Sequence, residues 1–107
     1  MFNYDGRRFR VVGAGPGSAT GHYHQHGDLV WGEFSGPTIR RGSLCGRCAD
    51  DGTIEFGYTM VLAGGEVISG HCISRPDVAP DGRLLLHETW ERYGPHASRG
   101  TSDLEQV

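Results

Sequence analysis

Apolar and polar residues alternate along much of this chain with a period of two. In the segment Thr53–Leu62, the even-numbered positions hold Ile54, Phe56, Tyr58 and Met60, and polar residues or glycine stand between them. Successive side chains of a β-strand point to opposite faces, so this period indicates a strand with one buried face. Clusters of Gly, Pro, Asp and Ser recur at intervals of roughly ten residues, which is the turn spacing of an all-β meander, sandwich or barrel.

The segments between these turn signals predict eight strands, at Arg7–Val12, Thr20–Gln25, Leu29–Phe34, Thr38–Cys48, Thr53–Leu62, Glu66–Arg75, Arg83–Glu91 and Gly100–Glu105. Most of the connections are short, and short connections join sequence neighbours as antiparallel hairpins. An even number of such strands can close on itself and so remove its unpaired edges. We therefore predict an all-β fold, an eight-stranded antiparallel up-and-down barrel, that forms a single domain over residues 1–107.

The same alternation assigns residues of the late strands to the inner face of the barrel. These residues are Ile68, Gly70, Cys72, Ser74, Leu84, Leu86, Glu88 and Trp90. Four glycines also fall on inner positions, namely Gly32, Gly42, Gly46 and Gly70. A missing side chain inside a barrel leaves volume unfilled, so the pattern predicts a cavity.

Glu88 is the one carboxyl on this inner face of the late strands. Between Leu86 and Trp90 it needs a partner, because burial of an unpaired charge is costly. An arginine, or the hydroxyl of Tyr23 or Tyr58, could supply that partner. Desolvation raises the pKa of a carboxyl towards neutrality, as a general acid or base requires. Glu88 is therefore either a satisfied structural carboxyl or a candidate catalytic residue.

Charge and composition exclude several classes of function. The net charge is −3, and all ten basic residues are Arg, so no lysine is present for Schiff-base chemistry, pyridoxal phosphate or a P-loop. Nucleic-acid binding needs a basic surface that this chain lacks. The start of the chain has no apolar signal-peptide core, and no segment has the length of a membrane span. Three Cys are an odd number, which argues against a disulfide framework, so we expect a cytoplasmic protein with free thiols.

The glycine-rich stretch that begins at Gly13 superficially matches a dinucleotide-binding fingerprint. That fingerprint requires the N-terminus of a helix inside a βαβ unit. Here Ser18 stands at the third glycine position, and no helical apolar period follows it. The stretch is therefore interpreted as a hairpin loop, and no cofactor is predicted.

Two further patterns suggest metal ligands but lack the rest of a site. His22, His24 and His26 share one face of a strand, yet three in line span roughly 13 Å, so at most a pair could bind one ion. The strand pattern also points these histidines outward, and Tyr23 and Gln25 inward. Cys45 and Cys48 have the spacing of a zinc knuckle, but they face opposite sides of a regular strand and no second pair accompanies them. We predict no metal site.

A series of motifs, taken in order and spacing, resembles a family of small bacterial proteins grouped as avidin-like β-barrels and often labelled "N-acetylglutamate synthase". The motifs are Asn3-Tyr4 with Arg7 and Phe9, His22-Tyr23 with Gln25 and Gly27, Ser35-Gly36, Gly42 with Leu44 and Gly46, Gly70-His71-Cys72-Ile73-Ser74 with Pro76, Leu86-His87-Glu88 with Trp90, and Gly100-Thr101-Ser102 with Glu105. The resemblance implies a cup-shaped ligand site. The acetyl transfer in the label needs a helix N-terminus for the pyrophosphate of acetyl-CoA, and this sequence predicts no such helix.

Three hypotheses about function follow. The first is a barrel that binds a small, partly apolar molecule, with polar contacts from Tyr23, Gln25, Tyr58, Cys72, Ser74, Glu88, Trp90 and Ser102. The second is a cyclase or isomerase that uses Glu88 as acid or base. The third is a filled barrel that acts through its outer surface, as a homodimer burying Trp31 and Val67.

Overall fold

The structure, a computed structural model, describes residues 2–15 and 17–107. Its strands are β1 (Arg8–Val11), β2 (Thr20–His26), β3 (Leu29–Gly36), β4 (Ile39–Cys48), β5 (Ile54–Leu62), β6 (Val67–Val78), β7 (Leu84–Arg92) and β8 (Ser98–Gln106). One 3₁₀ turn, Gly94–His96, precedes β8. In the described ranges, no helix has the length and apolar character needed to cross a membrane.

The eight strands form one closed antiparallel barrel. Each strand pairs with the next along the chain, and β1 pairs with β8 to close the ring. The predicted fold class is therefore confirmed. Because β1 and β2 pair as antiparallel neighbours, the glycine-rich stretch at 12–19 is a connection within a hairpin; Pro16 in that stretch lies outside the described residues.

Strand β6 extends further than the sequence predicted. We expected the strand to end before Pro76, because proline cannot donate a hydrogen bond to a neighbouring strand. In the structure, Pro76 pairs with Leu86 of β7, whereas the pairing of β6 with β5 has already ended at Ser74. Pro76 thus has no neighbouring strand on one side, which is the position where a strand tolerates proline.

The barrel has a closed end and an open end. The closed end is covered by the segment 2–7, in which the side chain of Tyr4 is fully buried. The Tyr4 hydroxyl donates to the Gly52 carbonyl at 2.6 Å, and the Tyr4 N–H donates to Gln25 Oε1 at 2.9 Å. The Tyr4 ring packs within 6.4 Å of the Phe9 and Tyr23 rings, so an aromatic cluster seals this end.

The inner glycines have a different role from the predicted one. A Cβ at Gly46 would overlap the Glu55 carbonyl oxygen, and one at Gly70 would overlap the Glu91 carbonyl oxygen. Both oxygens belong to the backbone of the adjacent strand, so glycine here permits close approach of two strands. The inference that these residues leave volume unfilled was wrong.

Candidate functional site

A cavity of about 290 Å³ opens at the end of the barrel opposite the segment 2–7. We call it the open-end cavity. Its wall is largely apolar and includes Phe9, Phe34, Ile39, Phe56, Met60 and Leu104. A dry cavity of about 150 Å³ is enough to admit benzene. The open-end cavity therefore has room for a molecule larger than a single aromatic ring.

Glu88 is the carboxyl that faces this cavity, and the strand register supplies its neighbours. Glu88 on β7 pairs with Ser74 of β6 on one side and with Ser102 of β8 on the other. The Ser74 hydroxyl donates to Glu88 Oε2 at 2.8 Å. The partner of the carboxyl is thus a serine, and the arginine or tyrosine hydroxyl that we considered is not used. Burial raises the pKa of Glu88, and the hydrogen bonds from Ser74 and Cys72 oppose that rise.

Tyr23 brings an unused hydroxyl to the same region. Its side chain is 1% exposed, and its hydroxyl has no hydrogen-bond partner among the described residues. Burial, reinforced by the negative charge of Glu88, raises the pKa of Tyr23 well above its ordinary value. The hydroxyl therefore stays neutral and is free to donate or accept one hydrogen bond. An unsatisfied buried polar group costs about 1–3 kcal/mol, so a ligand that pairs with it gains affinity.

Trp90, Cys72 and Tyr58 add further polar groups to the lining. The Trp90 indole donates to the Ser102 hydroxyl at 3.0 Å, which fixes the plane of the ring against the cavity. Burial raises the pKa of the Cys72 thiol to about 12, so this thiol is protonated at neutral pH. The Tyr58 hydroxyl donates to the Glu91 carbonyl at 3.2 Å and so orients its ring.

The structure brings most of the predicted site residues together. Those that line the open-end cavity are Tyr23, Tyr58, Cys72, Glu88, Trp90 and Ser102. Ser74 is fully buried behind Glu88 and reaches the cavity only through that carboxyl. Gln25 lies at the closed end, where its side chain accepts from Tyr4 and donates to the Gly27 carbonyl. Its assignment to the pocket was wrong because alternation identifies the inner face without indicating the end of the barrel.

Arg92 lines the cavity and was missed by the sequence reasoning. It lies on the same face of β7 as Glu88 and Trp90, two residues beyond Trp90. The predicted strand ended at Glu91, so its alternation was not continued to position 92. Extending the even-numbered face by one step would have found this side chain.

The histidine and cysteine patterns do not form a metal centre. Within the described residues, no three His, Cys, Asp or Glu side chains are placed to hold one ion. His24 instead bonds Glu33 at 2.9 Å and stacks on Trp31. Cys45 is exposed and Cys48 is buried, so the two thiols lie on opposite faces of β4.

Replacement of Glu88 by Gln is expected to change how stability depends on pH. Folding raises the pKa of Glu88, so the carboxyl binds its proton more tightly in the folded protein than in the unfolded chain. Its contribution to the free energy of unfolding is therefore fully present below the ordinary pKa of about 4.3. That contribution is lost as the pH rises through the pKa of the folded state. Glutamine removes this loss and can still accept from Ser74. Urea unfolding at pH 4 and pH 8 should show that the variant gains stability relative to wild type at the higher pH.

The control is Glu91→Gln, which removes an exposed carboxyl from the outer face of the same strand. A stability difference between Glu88→Gln and wild type that is the same at both pH values would contradict the burial of this carboxyl.

Comparison with known families gives one match. The family model described as "Avidin-like protein" matches residues 2–107. No curated protein and no solved structure matches this chain. The family match covers all eight strands as well as the segment that closes the barrel.

Proposed function

This chain belongs to the family of avidin-like proteins, and on that premise we propose that it binds a small, largely apolar molecule in the open-end cavity. The observation that supports the proposal most directly is the cavity itself, about 290 Å³ in volume inside a barrel whose other end is sealed. Small-molecule sites are typically concave, mostly apolar and provided with a few placed polar groups.

The polar groups of the cavity would set the orientation of the ligand. Glu88 and the unpartnered Tyr23 hydroxyl stand close enough for the charge of one to affect the pKa of the other. A ligand with one polar group at its buried end could bond both, and its apolar body would then contact the Phe34, Phe56 and Met60 side of the wall. Selectivity would come from the polar groups and affinity from the apolar contacts.

Binding accounts for this arrangement with fewer assumptions than catalysis. The alternative of a cyclase or isomerase also places Glu88 in the cavity, but a carboxyl of raised pKa beside a hydroxyl serves a binding site equally well. That alternative stays a prediction from the sequence. The cavity of about 290 Å³ favours a binding barrel over the hypothesis of a filled barrel, which required an interior without space.

Filling the cavity is expected to weaken binding of a neutral apolar probe. In Met60→Trp, the larger side chain occupies the space that the probe would enter, because Met60 is part of the cavity wall. We expect calorimetric titration with 1-octanol to show a dissociation constant at least about tenfold higher than for wild type, a loss of about 1.4 kcal/mol in binding free energy. The heat-capacity change of binding to the wild type should be negative, since apolar surface is buried.

The matched control is Thr59→Trp, which adds the same side chain to the exposed face of the same strand. It should bind 1-octanol as the wild type does, and far-UV circular dichroism should show an intact barrel in both variants. Equal affinity of wild type and Met60→Trp, or no binding by the wild type, would contradict the proposal.

A further inference from the structure

We propose that the open-end cavity selects an apolar molecule with one terminal carboxylate, which Arg92 holds at the mouth. This inference rests on the proposed function and names the class of ligand. The evidence for it is the placement of Arg92, the buried Nε of that residue, which has no partner among the described residues, and the distribution of charge between the two ends of the barrel.

Arg92 is the cation that strand alternation places on the inner side of β7. It follows Glu88 and Trp90 on the inner face, and its guanidinium carbon lies 5.4 Å from the centre of the Trp90 ring. The indole face holds the planar guanidinium in one orientation through a cation–π contact. Arg10 also borders the cavity, and its Nε too is buried without a partner among the described residues. Its charge, however, is paired with Glu105 on the adjacent strand, at 3.9 Å, whereas that of Arg92 is not paired with a carboxylate.

One donor of the Arg92 guanidinium lacks an acceptor. In residues 2–15 and 17–107, its Nε is buried without a hydrogen-bond partner and no carboxylate forms a salt bridge with it, whereas another part of the guanidinium bonds the Tyr58 side chain. An N–H donor of a charged group costs free energy when it is buried without an acceptor. A carboxylate would remove that cost by accepting two parallel hydrogen bonds from the guanidinium. A bound carboxylate matches the planar fork of arginine better than a neutral polar group does.

The open end as a whole is positive, although the chain is negative. That end consists of four connections and the three residues on either side of each; the connections are 12–19, 37–38, 63–66 and 93–97. Their charged residues are Arg10, Arg40, Arg41, Arg92, Arg99, Glu66 and Glu91. Five arginines and two glutamates give +3, and the rest of the chain therefore carries −6. Leaving out the paired Arg10 still leaves an excess of two positive charges, which attracts an anion to the mouth.

Glu88 determines which way the ligand enters. At the rise of a β-strand, its Cα lies about 13 Å from that of Arg92 along β7. A carboxylate that reached the level of Glu88 would lie beside a second carboxyl group in an apolar wall, whereas at the mouth it meets the cation Arg92. The ligand is therefore expected to insert its uncharged end, where one neutral polar group can still bond Glu88 and Tyr23, and to keep its carboxylate at the level of Arg92.

Three probes with the same eight-carbon chain separate the effects of charge from those of apolar contact. At pH 8, octanoate is an anion, 1-octanol is neutral and octylamine is a cation. Calorimetric titration at low salt should show octanoate binding about tenfold more tightly than 1-octanol, as expected for a charge-assisted hydrogen bond. Octylamine should bind no more tightly than 1-octanol.

Substitution of Arg92 identifies the source of the preference. In Arg92→Gln the affinity for octanoate should fall to that for 1-octanol, with the 1-octanol affinity unchanged, and Arg92→Lys should retain part of the preference. Arg75→Gln removes one exposed arginine from the other half of the barrel and should leave the preference as in the wild type.

The outcomes distinguish this inference from the proposed function. If 1-octanol binds but octanoate gains nothing, if Arg92→Gln and Arg75→Gln behave alike, or if octylamine binds most tightly, the selection of a carboxylate by Arg92 is wrong and the binding function stands. If none of the three probes binds, both are wrong.

Discussion

Replacement of Tyr4 by Ala is expected to lower the free energy of unfolding by about 3–5 kcal/mol, the range seen when a buried aromatic side chain is truncated. Tyr4 is fully buried, contacts the Phe9 and Tyr23 rings, and is the residue by which the segment 2–7 closes the barrel. The cavity left by its ring would adjoin Tyr23, so the loss includes packing at the floor of the barrel. Urea unfolding should detect a loss of this size, with a fall in Tm of well over about 10 °C.

The variant Tyr4→Phe separates the ring from its hydroxyl. It keeps the aromatic packing and loses the hydrogen bond to the Gly52 carbonyl, so it should lose about 1–2 kcal/mol. A loss below about 1 kcal/mol for Tyr4→Ala would show that the segment 2–7 does not stabilise the barrel. In that case the closed end would not be a structural seal.

Replacement of Gly46 by Ala is expected to lower the free energy of unfolding by about 3 kcal/mol. A Cβ at this position would overlap the carbonyl oxygen of Glu55, and the Phe56 backbone and side chain lie beside it. Strands β4 and β5 would have to separate, because a backbone carbonyl cannot turn away as the end of a side chain can. Overpacking of a core typically costs about 1–3 kcal/mol, and a clash with backbone lies at the upper end of that range.

The matched control is Gly57→Ala, which lies on the outer face of β5. A Cβ at Gly57 would have as its nearest neighbour the Gly70 carbonyl oxygen at 3.8 Å, an ordinary contact. Alanine also reduces the freedom of the unfolded chain, so this variant should be neutral or more stable by about 0.5 kcal/mol. Equal unfolding curves for the two variants would contradict the close approach of β4 and β5 at Gly46.

The fold was predictable because its signals are local. Alternation over a few residues identified eight strands and their inner faces, and it placed Tyr23, Glu88 and Trp90 inside without knowledge of the strand pairing. The antiparallel order followed from the short connections. The errors at strand ends have local causes too: β6 was predicted to end at Arg75, before Pro76, and β7 was predicted to end at Glu91, before Arg92.

The candidate site was predictable only in part, because it depends on which residues share one end of the barrel. Gln25 and Tyr23 are two positions apart on the same strand, yet Tyr23 borders the cavity and Gln25 bonds the segment that seals the opposite end. The inner glycines were expected to leave a cavity, but Gly46 and Gly70 lie where two backbones meet. The alternation of apolar and polar residues indicates neither the end of the barrel at which a residue lies nor how closely two backbones approach.

The sequence alone was enough to predict the class of fold, the number of strands and the inward direction of Glu88, because a period of two residues is a property of the strand itself. The tertiary structure decided which end of the barrel is open, that Tyr4 seals the other end, and that Arg92 lies over the Trp90 ring with an Nε that has no partner among the described residues. These features arise from contacts between residues far apart in the chain, such as Tyr4 with Gly52, and such contacts depend on the register of every strand between them.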